Sequence, residues 1–78
     1  MDDRSIHQRI EDLVSEEERL LGSDHGLGPD EHDRLATVKV ELDRYWDLLR
    51  QRRARREAGL DPDQASIRDA DTVEGYEQ

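Results

Sequence analysis

The stretch Pro29-Asp-Glu-His-Asp-Arg-Leu-Ala-Thr-Val-Lys-Val-Glu-Leu-Asp-Arg-Tyr-Trp-Asp-Leu-Leu-Arg-Gln-Arg-Arg-Ala-Arg-Arg-Glu-Ala58 decides the fold. Its apolar positions Leu35, Val38, Leu42, Tyr45 and Leu49 recur in steps of 3, 4, 3 and 4. That spacing predicts one long helix over residues 29–58 with a heptad seam, packed lengthwise on another helix. Pro29 is pre-set for the first helical position, and Asp30 and Glu31 favour the positive end of the helix dipole. Gly59, Leu60 and Pro62 together form a stop signal.

The segment before it supplies the partner. Ile6, Ile10, Leu13, Val14, Leu20 and Leu21 share one stripe of a predicted helix over residues 3–21, with Glu17 interrupting it. Ser5 and Gln8 have capping-box spacing, and Asp2 and Asp3 suit a helix start. Three glycines in residues 22–28 make a short loop, so the two helices are antiparallel neighbours. Leu27 is expected to plug the open end of the pair. The expected fold is all-α: an antiparallel, coiled-coil-like two-helix hairpin over residues 1–60. Residues 61–78 are expected to form a loosely structured acidic tail with one short helical turn started by Asp61, Pro62 and Gln64. A lone hairpin leaves Val14, Leu21, Trp46 and Leu48 uncovered, so a homodimer forming a four-helix bundle is expected.

Composition bounds the rest. The chain has 78 residues, 42% charged and 32% apolar, without Phe or Cys. Such a chain lies close to the border with disorder, and so small a core gains from association. Lack of cysteine excludes disulfides and thiolate metal sites and suits a reducing compartment. No apolar run approaches the ~20 residues a membrane-spanning helix needs, and no secretory signal is visible at the acidic N-terminus. A cytoplasmic protein is expected.

The net charge of −9 is unevenly spread. Residues 49–58 hold five arginines and one acid, whereas residues 59–78 hold six acids and one arginine. Arg50, Arg52, Arg53, Arg55 and Arg56 are therefore candidate interaction residues. The expectation is that they pair with acidic segments of the same chain or of a second subunit. Specifically, Arg52, Arg53 and Arg56 would meet Asp61, Asp63, Asp69 or Asp71 as the tail folds back. Nucleic acid is a weaker alternative: no aromatic is interleaved to stack on bases, and the net charge opposes a polyanion. Trp46 and Tyr45 are candidate interface anchors. Because Trp46 lies beside the seam, it is expected in the core of the subunit or of the dimer. Tyr76, with Val73, is a candidate anchor for the tail near the first helix's N-terminus.

No catalytic motif is present, and a hairpin offers no concavity to shift a pair of carboxylates, so no enzyme activity and no cofactor are expected. Asp24, His25, Glu31, His32 and Asp33 cluster around the loop in a spacing that matches no established zinc pattern. They are expected to be solvated. His7, one residue off the stripe, is expected at the surface.

The run His32-Asp33-Arg34-Leu35, then Val38 through Arg53, and the ending Thr72-Val73-Glu74-Gly75-Tyr76 resemble a family of short, uncharacterised bacterial proteins classed as a domain of unknown function. The resemblance covers nearly the whole chain. It implies a free-standing small protein, and no activity, cofactor or catalytic residue. The function expected is that of a non-catalytic interaction, scaffold or regulatory protein acting through helix surfaces.

Overall fold

A computed structural model of the protein describes residues 1–22 and 26–75. Its elements are all helical: α1 (Asp3–Leu21), α2 (Pro29–Glu57), a 3₁₀ turn (Pro62–Gln64) and α3 (Ala70–Glu74). The molecule is a flat rod of 50 × 28 × 14 Å.

Local chemistry sets the helix ends. Asp2, rather than Ser5, caps α1: its Oδ1 accepts from the Ser5 backbone N–H at 2.8 Å. Gln8 instead donates to Asp12 one turn on. At the start of α2 the Gly28 N–H donates to Glu31 Oε1 at 3.2 Å, one half of a capping box. The C-terminus of α2 is a Schellman motif. Gly59 takes φ +75°, its N–H bonds to the Arg56 carbonyl, and the Leu60 N–H reaches back to the Arg55 carbonyl. A glycine is required there because a Cβ is strained at positive φ.

Ile6, Ile10 and Leu13 of α1 pack on Val38, Leu42 and Leu48 of α2, with Val14, Tyr45, Leu49 and Ala65 at the margin. Leu35 and Val73 are also buried. The seam thus differs at one place from the heptad reading. Leu48 is a core residue and Leu49 only half-buried. The reason is that residues after Gly59 cover a second face of α2, and Ala65 lies against that side of the cluster.

The expectation of a loosely structured tail is corrected over residues 61–75. Asp61 caps the 3₁₀ turn through the Asp63 N–H, and Asp69 caps α3 through the Thr72 N–H. Both the 3₁₀ turn and α3 pack on α2. The polypeptide runs back antiparallel along α2, pairing Asp63 with Arg52, Ser66 with Gln51 and Arg68 with Asp47. Burial of Val73 at the far end adds about 1.5–3 kcal/mol of apolar transfer for such a side chain. Among the described residues α3 touches α2 and not α1, so Val73 does not dock at the α1 N-terminus as expected.

Candidate interaction surface

α2 has three sides, and each is in a different state. One packs on α1. A second, the stripe Arg44, Asp47 and Gln51, carries the tail. These are i, i+3 and i+7 positions, so they share a face. Asp47, 2% exposed, is the centre of that face. Arg68 grips it with two parallel bonds, Nε to Oδ2 at 2.9 Å and Nη2 to Oδ1, and Gln51 Nε2 adds a third at 2.9 Å. A planar guanidinium fork matches a carboxylate in this way. The Arg68 bonds chiefly, assisted by Gln51, hold the Asp47 carboxyl below the usual carboxylate range against the effect of burial. Arg44 Nε donates to the Arg68 carbonyl at 2.8 Å and Gln51 to the Ser66 carbonyl at 2.9 Å.

Arg52 joins three parts of the chain. Its Nε donates to Asp3 of α1, and its Nη1 donates to Asp63 at 3.0 Å and to the Pro62 carbonyl at 3.1 Å. It is 5% exposed. Its bond to Asp3, then that to Asp63, raises its pKa above the ordinary value. Reciprocally, Arg52 and then Arg56 hold Asp3 low. Arg56 Nη2 lies 2.9 Å from Asp3 and Arg53 Nε 3.2 Å from Glu57. The basic end of α2 therefore does not stand clear of the first helix, because Asp3 reaches two of its arginines. Of the tail acids expected to meet the block, Asp63 does so, at Arg52. Asp61 and Asp69 serve as helix caps instead.

Among the described residues no further element packs on the third side. Two ion pairs, Arg9–Glu41 at 3.6 Å and Glu16–Arg34, join α1 to α2 along one edge. Each helix contributes positions seven apart, so both pairs lie on the same edge. Glu41 and Leu48, also seven apart, place the tail beside this edge. Trp46 lies five positions from Glu41, about 140° around the helix. It is 44% exposed and meets His7 edge-to-face, with ring centroids 6.3 Å apart. Trp46 is thus a surface residue of the chain and not part of its core. From His7 the α1 edge continues at heptad spacing through half-buried Val14 to Leu21, which is 60% exposed. Arg50 and Arg53 are exposed on the same side of α2, while Tyr45 is half-buried against the core.

Of the remaining candidates, Arg55 is half-buried. Arg50 borders a groove of about 430 Å³ with Asp47, Gln51, Ala54 and Arg68. Tyr76, Asp24 and His25 lie outside the described residues. Among the described residues no three His, Asp or Glu side chains converge to hold a metal, and no helix is long and apolar enough to cross a membrane. Sequence reading missed Asp47 and Arg68, the pair that fixes the tail. Asp47 stands between Trp46 and Leu48, where a solvated acid would be out of pattern, and Arg68 is the tail's lone base.

These features define a small all-α protein in which a latched C-terminal segment covers one flank of a helical hairpin. The chain belongs to the family described as Protein of unknown function (DUF2630), which it matches over residues 2–78. It is 50% identical over 70 residues to Uncharacterized protein Rv0898c and Uncharacterized protein MT0921.1 of Mycobacterium tuberculosis, covering 86% of this chain and 80% of each relative. Uncharacterized protein Mb0922c of Mycobacterium bovis is similar to the same degree, 50% over 70 residues. No solved structure matches the chain.

Proposed function

We propose that the protein is a non-catalytic cytoplasmic scaffold or regulator that works through its helix surfaces as a homodimer. The Trp46 edge is the contact surface, and two hairpins joined there form a four-helix bundle. The observation that carries this reading is the contrast between the two edges of the hairpin. One is bridged by ion pairs and flanked by the tail. The other presents exposed Trp46, His7 and Leu21, with half-buried Val14 between them, and among the described residues no further element packs over it. A stripe of this kind gains by burial against a second copy, and Trp is prominent among residues that anchor interfaces. An unidentified protein partner would use the same edge.

Binding of nucleic acid through the arginine block is the second reading, supported by exposed Arg50 on that edge. It is disfavoured because Arg52 is buried and Arg53 and Arg56 are paired within the chain. A net charge of −9 also opposes a polyanion.

Trp46 is the one tryptophan, so emission excited selectively at the indole, and not at the two tyrosines, reports on this edge. Emission shifting to shorter wavelength as the protein is concentrated from nanomolar to micromolar supports the proposal. Emission that stays at the wavelength of a hydrated indole throughout overturns it.

A further inference from the structure

The surface beneath the tail has the character of a docking site that can empty and refill. Arg44, Asp47, Gln51 and Arg52 line most of it and water can solvate them once the tail leaves, while Leu48 adds an apolar spot beneath the tail. Interfaces that open and close are polar in this way. The tail meets this surface at several points: Asp63 on Arg52, Ser66 on Gln51, Arg68 on Asp47, and buried Val73 beyond. The hinge is equally plain. Residues 58–61 are exposed, and Gly59 turns the chain at φ +75° with open space around it. Beside the hinge and midway along the tail, Leu60 and Ile67 remain 56% and 40% exposed.

We propose that the α2 groove also accepts the tail of a second copy, so that two chains exchange residues 61–75 reciprocally about Gly59. The occupant is a second copy because its tail carries the same Asp63, Arg68 and Val73 at the spacing the groove already fits. Exchange keeps each bond of the docked tail and brings Leu60 and Ile67 of the two crossing segments beside a second chain. Exchange of an identical element through a hinge is a low-cost route to association. The tail's own short connection gives it an effective concentration on the order of millimolar, so exchange is expected in concentrated protein. This contact lies on a different side of α2 from Trp46 and does not depend on the dimer proposed above.

The chain has no cysteine, and Gln51 touches the backbone of Ser66 at 2.9 Å, which supplies a direct test. Full-length Gln51→Cys and Ser66→Cys chains are mixed at about 1 mM, the scale of the competing effective concentration, and oxidised. The disulfides are then mapped by peptide mass. A cross-chain 51–66 disulfide in excess of random pairing supports exchange, and its persistence when Trp46→Ala is added separates it from the other contact. Random proportions, or no covalent dimer, overturn it. A second measurement uses Asp47→Arg and Arg68→Asp chains, each of which opposes like charges within itself. Mixing them restores opposite charges only between chains. Recovery of amide protection over residues 70–74 in the mixture supports exchange, whereas protection equal to the average of the separate chains overturns it.

Discussion

Replacing Arg68 with Ala strands the most buried charge among the described residues. Asp47 is 2% exposed and keeps only the Gln51 bond when the guanidinium is gone. Breaking a buried pair by deleting one partner costs about 3–5 kcal/mol when the other charge cannot reach water. Here it can, because the tail is free to lift from α2 and hydrate Asp47. The loss is therefore capped at the free energy of tail docking. The expected cost is about 1–3 kcal/mol, that of a polar group left short of a partner, below the full stranding penalty. For 78 residues, total stability is on the order of 4–12 kcal/mol, so this is a large fraction of it. The α1–α2 seam is untouched, so the two long helices remain. Asp47→Asn is expected to cost less, since it removes the charge instead of stranding it. Urea unfolding followed by circular dichroism at pH 7 gives the magnitude, and amide exchange locates it. Protection should vanish over Ala70–Glu74 and persist in α1. A change in Arg68→Ala of under about 0.5 kcal/mol, the range of ordinary surface substitutions, with α3 still protected, would refute the latch.

Arg52→Ala removes bonds to Asp3, Asp63 and the Pro62 carbonyl at once. A loss of about 1–3 kcal/mol is expected, with faster amide exchange at both the α1 N-terminus and the 3₁₀ turn. Leu42→Asp places an unpartnered charge in the seam, costs several kcal/mol and should abolish the folded signal in circular dichroism. His32→Ala, at an exposed site in the first turn of α2, should move the urea midpoint by no more than about 0.5 kcal/mol in stability terms. Asp47, held low first by Arg68, and Asp3, held low first by Arg52, bind protons less readily folded than unfolded. Their stabilisation is therefore fully present above the unfolded carboxylate pKa of about 3.9 and is lost as pH falls through the depressed folded values. An acid titration should show stability level between neutrality and about pH 5, with loss below about pH 4.

The two long helices were legible because their signals are local. Steps of 3 and 4 between apolar residues, a Gly-rich loop and Pro29 at a helix start each act within a few positions. The Gly59–Pro62 stop was legible for the same reason. What escaped was long-range and polar. Asp3–Arg52 and Asp47–Arg68 join residues far apart in sequence, and no periodicity marks which acid meets which base. Charge totals suggested that tail acids would neutralise the arginine block. Yet Asp61 and Asp69 satisfy helix N–H groups nearer at hand, and only the two faces seen together explain why Leu48 is buried. Trp46 was placed beside the seam by its neighbours, but the seam turns toward α1 at Tyr45 and Leu49 and leaves the indole at the edge.

Sedimentation equilibrium of the full-length protein is the most direct test of the open edge as a self-association surface. At micromolar concentration the expected mass is twice that of the 9.1 kDa chain, falling to a single chain when Trp46 is replaced by Glu. A mass of one chain for the wild-type protein across the whole concentration range, with its helices fully formed, contradicts the claim.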